Sequence, residues 1–198
     1  MGESDRSDRS ILLGLMLPAM LMPMLSTMSR VALPMVRDTF ALTADLTAWI
    51  DVSFTLPFML FMPVYGRLGD GLGARRLLLA GIALFTLGTA LVLNASTMPH
   101  LLVGRTVQGI GLAGMTPLSI GLIASLFPPQ TRGQTMGTWS TVGPTTGFLG
   151  PLAAGLLVGV WGWQAAFAPS LVCGFIAFVV VYHLIPARTH SAQTNSMA

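Results

Sequence analysis

Six long apolar runs dominate this sequence and constrain its fold more than any other feature. They cover roughly Ile11–Val36, Thr47–Tyr65, Leu77–Leu93, Leu101–Phe127, Thr135–Val160 and Trp163–Ile185. About 20 apolar residues in a helix span the hydrocarbon core of a bilayer, and lipid forbids exposed, unpaired backbone. The sequence therefore predicts an all-α, polytopic membrane protein whose six transmembrane helices, spans 1–6, form an antiparallel bundle.

The low charge content excludes several other classes of protein. Only 9% of the 198 residues are charged, whereas a soluble domain has about 25%. The net charge of +3 is too small and too dispersed for a nucleic-acid surface. Cys173 is the only cysteine, and His100, His183 and His190 show no metal-ligand or catalytic spacing. We therefore expect neither an enzyme nor a bound cofactor or metal.

The arginines predict the orientation of the spans. All ten basic residues are arginine, and cytoplasmic loops carry the excess of positive charge. If the N-terminus is cytoplasmic, the opposite side holds only Arg37. The cytoplasmic side then holds Arg6, Arg9, Arg67, Arg75, Arg76, Arg132 and Arg188. Residues 1–10 and 186–198 are expected to be polar cytoplasmic segments flanking a membrane domain at residues 11–185.

The stretch GRLGDGLGARR, from Gly66 to Arg76, joins spans 2 and 3. Glycines beside basic residues can form a phosphate-binding loop, but that loop needs a soluble strand–turn–helix unit, and both flanks here are membrane spans. We therefore predict a tight cytoplasmic loop in which glycine permits unusual backbone angles. Asp70 is expected to cap a helix or to pair with Arg75 or Arg76. The loop either fixes the topology only or acts as a charged latch between moving helices.

Three motifs make the chain resemble the major facilitator superfamily, and within it the drug:proton antiporters. The first is the glycine-rich stretch, which resembles the superfamily signature between helices 2 and 3. Its matching residues are Gly66, Leu68, Asp70, Gly73 and Arg75. Gly71 and Ala74 stand where the signature usually has basic residues. The resemblance implies a conformational latch, formed with Arg76, whose partners lie largely in a second six-helix half.

The second and third motifs lie in spans 4 and 5. LLVGRTVQGIGLA resembles the pattern of span 4 at Leu101, Arg105, Gln108, Gly109, Gly111 and Ala113. GTWSTVGPTTGFLGPLAAG resembles the antiporter motif of span 5 at Gly137, Gly150, Pro151 and Gly155. Thr146 and Ala154 stand where that motif has glycine. In the resembled family, the arginine of span 4 is implicated in proton coupling, and the helix of span 5 helps to seal the pathway.

The resemblance also implies an architecture and a function. The architecture is one half of a major facilitator fold, built from two inverted three-helix repeats. The function is proton-coupled export of small apolar or amphipathic compounds, such as drugs, across a bacterial inner membrane. A second six-helix half, from a second copy or a separate chain, would complete the transporter. The alternative is a truncated or degenerate half that acts only as a membrane interaction protein without transport.

Three ionisable residues, Arg30, Asp51 and Arg105, lie inside the apolar spans. Each costs roughly 2.5–3.5 kcal/mol at a helix centre, so such residues normally face a bundle interior and mark a pathway. Judged from the span ends, Arg30 and Asp51 lie at similar depth. We predict that they form an ion pair, or that Arg30 modulates a protonatable Asp51. Many related antiporters carry an aspartate in span 1, but MLSTMSR has no carboxylate, so their coupling mechanism does not carry over.

Prolines and methionines add two expectations. Pro144 and Pro151 each remove a helix hydrogen bond, so we expect span 5 to kink. Methionine side chains are flexible and polarisable, and they suit either a cavity for varied apolar ligands or ordinary packing. Those in the first two spans are Met16, Met20, Met22, Met24, Met28, Met35, Met59 and Met62.

Overall fold

Six segments of the structure are long and apolar enough to cross a membrane, which confirms the predicted number of spans. The computed structural model describes residues 3–185, without the side chains of residues 3–9 and of Asp70. Its helices are α1 (Glu3–Thr39), α2 (Ala44–Leu72), α3 (Ala74–Leu93), α4 (Met98–Ala113), α5 (Met115–Leu126), α6 (Pro129–Ser140), α7 (Val142–Trp161) and α8 (Ala168–Leu184). Span 4 comprises α4 and α5, and span 5 comprises α6 and α7.

The ends of the chain differ in how far they can be described. α1 begins at Glu3, so most of the predicted N-terminal segment is helical, although the apolar part of span 1 begins at Ser10. A 3₁₀ turn, Trp163–Phe167, connects α7 to α8. The predicted tail at residues 186–198 lies outside the described residues.

The glycine-rich stretch is mostly helical, so the prediction of a loop at this position is wrong. α2 continues to Leu72, and α3 begins at Ala74. Gly73 alone separates the two helices, and its φ is 90°. Glycine adopts this angle without the steric cost that a Cβ imposes. The chain therefore reverses at a single residue, and Arg75 lies in the first turn of α3.

Spans 4 and 5 are each interrupted about one turn before a proline. Gly114 separates α4 from α5, and Pro117 lacks the N–H that would bond the carbonyl four residues before it. Thr141 separates α6 from α7 in the same relation to Pro144. The break before Pro144 agrees with the expected disturbance of span 5, whereas Pro151 lies inside an uninterrupted α7.

The packing of the helices relates the first three spans to the last three. In the main contacts, span 1 packs against spans 5 and 6, span 2 against span 4, and span 3 against spans 4 and 6. If span 1 is exchanged with span 4, span 2 with span 5, and span 3 with span 6, the same set of contacts results. Two three-helix repeats of opposite orientation produce such a set. The predicted fold, six helices in two inverted three-helix repeats, is therefore confirmed.

Spans 3 and 4 approach closely because glycines face each other along their contact. A Cβ at Gly88 would lie 3.0 Å from the carbonyl oxygen of Gly104, and a Cβ at Gly104 would lie 2.9 Å from the amide nitrogen of Val92. On the other side of span 4, a Cβ at Gly109 would collide with the backbone of Phe54 in span 2. Small residues permit such close packing in lipid. Span 4 is thereby held between spans 2 and 3.

We predict that Gly104→Val destabilises the protein by about 1–3 kcal/mol, because the added methyl groups force spans 3 and 4 apart. Gly121→Val is the control in the same span, since nothing lies within 4 Å of a Cβ at that position. Thermal unfolding of the purified protein in detergent measures both effects. Equal unfolding midpoints for the two variants would contradict the close packing.

Candidate functional site

Arg105 lies in α4 at the contact with span 2, and only 2% of the residue is exposed. Its Nε donates to the carbonyl oxygen of Ile50 at 3.3 Å, and its Nη1 donates to Oε1 of Gln108 at 3.3 Å. Its Nη2 lies 3.6 Å from Oδ1 of Asp51. A buried guanidinium needs polar partners for its N–H groups. These three oxygen atoms explain how span 4 accommodates a charge away from water.

Phe54 completes the surroundings of the guanidinium. Cζ of Arg105 lies 4.8 Å from the centroid of the Phe54 ring, within the range of a cation–π interaction. One side of α2 thus supplies a carbonyl, a carboxylate and an aromatic ring. Asp51 differs from these other groups of α2, because 59% of its side chain is exposed. The ion pair joins a buried cation to a carboxylate that is accessible from outside the bundle.

Gln108 extends these contacts from span 4 to span 3. Its Nε2 donates to Oγ1 of Thr89 at 3.0 Å, and that hydroxyl donates to the carbonyl oxygen of Phe85 at 2.9 Å. Both Gln108 and Thr89 are fully buried, so no water replaces these hydrogen bonds if they are lost. Asp51, Arg105, Gln108 and Thr89 form a continuous series of contacts across spans 2, 4 and 3, called the polar chain below.

The predicted ion pair between Arg30 and Asp51 is wrong. Asp51 pairs with Arg105, and the exposed side chain of Arg30 forms no ion pair among the side chains that the structure describes. Span 1 packs mainly on spans 5 and 6, whereas span 2 packs on span 4. Asp51 and Arg105 each lie seven residues after the first residue of their helices, Ala44 and Met98. Because spans 2 and 4 run in the same direction, equal distances from the helix starts place the two side chains at equal depth. The sequence prediction missed this signal.

The signature residues between spans 2 and 3 lie at one end of the bundle. Arg75 donates from Nη2 to the carbonyl oxygen of Tyr182 at 2.6 Å, in the last turn of α8. Arg76 and Leu68 are exposed. The side chain of Asp70 lies outside the described residues, so its pairing with either arginine stays a prediction.

The motif residues of span 5 divide between packed and open positions. A Cβ at Gly150 would collide with the side chain of Thr27 in span 1. Nothing lies within 4 Å of a Cβ at Gly137 or Gly155, and Pro151 is exposed. Only one side of α7 therefore contributes to the described bundle.

Two apolar grooves lie between neighbouring helices, apart from the polar chain, and both are largely open to the outside of the bundle. One, of about 300 Å³, lies between α3 and α8. The other, of about 520 Å³, lies among α1, α7 and α8, where Met20 and Met24 line it. Among the described side chains, no three of His, Cys, Asp or Glu lie close enough together to hold a metal ion. The charged chemistry of the described spans is concentrated at Arg105 and Asp51.

Known proteins similar to this chain share one family. A family model described as Major Facilitator Superfamily matches residues 15–198. The chain is 32% identical to multidrug resistance protein 3 of Bacillus subtilis, over 89% of the chain and 35% of that relative. It is 35% identical to the probable actinorhodin transporter of Streptomyces coelicolor, over 88% of the chain and 31% of that relative.

A solved structure shares the fold. The proton:xylose symporter XylE matches with a TM-score of 0.78 at 17% identity, over 87% of this chain and 44% of XylE. At this identity, the likeness concerns the fold alone. The chain spans about a third of the length of the two curated relatives and less than half of XylE.

We predict that Gln108→Leu lowers the free energy of unfolding by about 1–3 kcal/mol, because it removes an acceptor from Arg105 and a donor from Thr89. Gln134→Leu is the control, since Gln134 is exposed on α6. Thermal unfolding in detergent compares the two. A Gln108→Leu protein as stable as the control would contradict a contribution of the polar chain to stability.

Proposed function

Because the chain belongs to the major facilitator superfamily, we propose that it is half of a proton-coupled exporter of small molecules. Family membership and six membrane-spanning segments make it a multi-pass membrane protein of a transporter family. The relatives named for multidrug resistance and for actinorhodin support export of small apolar or amphipathic compounds, such as drugs. The pairing of exposed Asp51 with buried Arg105 is the observation that carries the proton coupling.

Asp51 is proposed to take up and release the proton. It is the only carboxylate within the six apolar runs of the sequence. Its side chain is 59% exposed, whereas that of Arg105 is 3% exposed, so a proton reaches Asp51 without entering the bundle. Protonation removes the Coulombic attraction between the two side chains. One of the contacts that hold spans 2 and 4 together is thereby weakened.

Arg105 keeps neutral partners when Asp51 is protonated. The carbonyl of Ile50, the amide oxygen of Gln108 and the ring of Phe54 all contact its guanidinium. Proton binding therefore weakens one contact without leaving the buried charge unsatisfied. A transport cycle needs such a reversible response. Arg30, exposed on span 1, is proposed to line the same pathway.

A second six-helix half is proposed to cover the exposed sides of spans 2 and 5. The chain spans only about a third of its curated relatives, and α2 and α7 carry exposed large apolar side chains such as Met59 and Leu156. A stripe of small residues and one proline recurs at every fourth position of α7. The stripe comprises Gly143, Gly147, Pro151, Gly155 and Gly159. Such a stripe lets another helix approach closely, whether it comes from a second copy or from a separate chain.

The termini are proposed to face the cytoplasm, and residues next to Gly73 are proposed to form a latch. The excess of arginine on one side supports cytoplasmic termini in a bacterial plasma membrane. The single-residue turn at Gly73 lies on that same side. Asp70 and Arg76, next to this turn, are proposed to engage the second half as a latch, while the substrate passes between the halves.

We predict that Asp51→Asn abolishes proton-driven efflux and leaves the protein folded, because asparagine keeps the size of the side chain but cannot bind and release a proton. Dye or drug efflux from proteoliposomes under a proton gradient measures this, with the chain alone and with the chain joined to a second half. Asp45→Asn is the control, since Asp45 lies in the first turn of α2 and is exposed.

Unchanged proton-driven efflux by Asp51→Asn would exclude Asp51 as the coupling site. An absence of efflux by the unsubstituted chain in both forms would favour the alternative, a membrane interaction protein without transport.

We predict that Gly155→Leu weakens association with the second half and leaves the stability of the isolated chain unchanged, because the space around Gly155 is open within this bundle. Gly150→Leu is the comparison variant, and it should destabilise the isolated chain through its collision with Thr27. Co-purification of differently tagged halves and thermal unfolding measure the two effects. Unchanged association would argue against the α7 stripe as the contact surface.

A further inference from the structure

The last turn of span 6 contains a carbonyl for which its own helix has no donor. In an α-helix, the carbonyl of Tyr182 would accept from the N–H group four residues later. That residue is Pro186, and proline has no N–H. The preceding bond, from the Ile185 amide to the Val181 carbonyl, is made at 3.2 Å. The Tyr182 carbonyl is therefore open to a donor from another part of the fold.

Arg75 is that donor. Its Nη2 donates to the Tyr182 carbonyl oxygen at 2.6 Å, and its Cζ lies 5.6 Å from the centroid of the Tyr182 ring. Hydrogen bonds from a charged donor are shorter and stronger than those between neutral groups. Terminal carbonyls of a helix also carry partial negative charge, which favours a nearby cation. One residue of span 6 thus contacts Arg75 through both its backbone and its ring.

The position of Arg75 in its own helix is unfavourable without this contact. It is the second residue of α3, directly after the turn at Gly73, and the start of a helix disfavours positive charge. α3 and α8 run in opposite directions, so the start of one lies beside the end of the other. The partial negative charge at the end of α8 therefore offsets the partial positive charge at the start of α3. Arg75 and Tyr182, which make this contact, are 107 residues apart in the sequence.

We propose that Arg75 is a positioning residue that caps span 6 and joins its end to the turn between spans 2 and 3. The cap acts within this six-helix half, and it depends neither on transport nor on a second half. Because Arg75 is part of α3, a displacement of span 3 acts through this bond on the last turn of span 6. Movement of span 3 against span 6 requires this bond to break.

Amide hydrogen exchange of the purified protein in nanodiscs tests the cap. Arg75→Ala is expected to speed exchange in the last turn of α8 about tenfold, since a hydrogen bond from a charged group is lost. Elsewhere in α8 the exchange should stay as it is. Arg76→Ala is the matched control, because it removes the same charge from an exposed position in the same turn of α3. It should leave the exchange of α8 unchanged.

Pro186→Ala distinguishes the loss of the hydrogen bond to the Tyr182 carbonyl from the loss of packing and of positive charge. Ile185 is extended, with φ −90° and ψ 117°, and a following proline favours that conformation. Alanine at position 186 removes this restriction and supplies an N–H group, so that α8 can extend and donate to the Tyr182 carbonyl. In the Arg75→Ala background, this second substitution is expected to slow the exchange of the last turn again. A failure to slow it, or equal exchange in Arg75→Ala and Arg76→Ala, would overturn the proposal.

Arg75→Met is the second variant if Arg75→Ala does not fold. Methionine keeps the aliphatic length and has no N–H donor, so exchange in the last turn should again rise and should again fall when Pro186→Ala is added. Unchanged exchange in a folded Arg75→Met protein would also overturn the proposal. None of these measurements depends on efflux, so failure of the cap and failure of the proposed transport function are distinguishable.

Discussion

Arg105 places a positive charge between helices, where only 2% of the residue is exposed. Such a charge is tolerated only when oxygen atoms and a counter-charge offset its loss of hydration. Span 2 supplies the Ile50 carbonyl, the Asp51 carboxylate and the Phe54 ring, while Gln108 comes from span 4 itself. Gln108 also bonds to Thr89 in span 3. Arg105 and Gln108 together therefore link the positions of spans 2, 3 and 4.

Glycines make these contacts short enough to form. In lipid, helices gain little from burying apolar surface against each other, so van der Waals packing and hydrogen bonds hold them together. Gly88 and Gly104 bring spans 3 and 4 into backbone contact, and Gly109 does the same for spans 4 and 2. The motif in span 4 therefore combines two physical roles. Its glycines set the distances between helices, and Arg105 and Gln108 form the polar contacts across those distances.

Much of this arrangement was predictable from the sequence. Each span needs its own apolar run, so the number of spans follows from composition along the chain. Three motifs indicated the family, and the cost of charge in lipid pointed to Arg30, Asp51 and Arg105 as interior or pathway residues. Arg105 is buried, whereas Arg30 and Asp51 are exposed. A disturbance of span 5 was also predicted from Pro144 and Pro151, and the helix is interrupted before Pro144 but continues through Pro151.

The sequence by itself thus determined which segments cross the membrane and which residues have unusual chemistry there. Only the tertiary structure decided which of them meet. Spans 1 and 2 are consecutive but pack on different helices, so Asp51 contacts Arg105 and not Arg30. The glycine-rich stretch remains helical up to Leu72 and reverses at Gly73 alone. The physical reason is that local composition selects lipid or water for each segment, whereas side-chain contacts depend on helices that are distant in sequence.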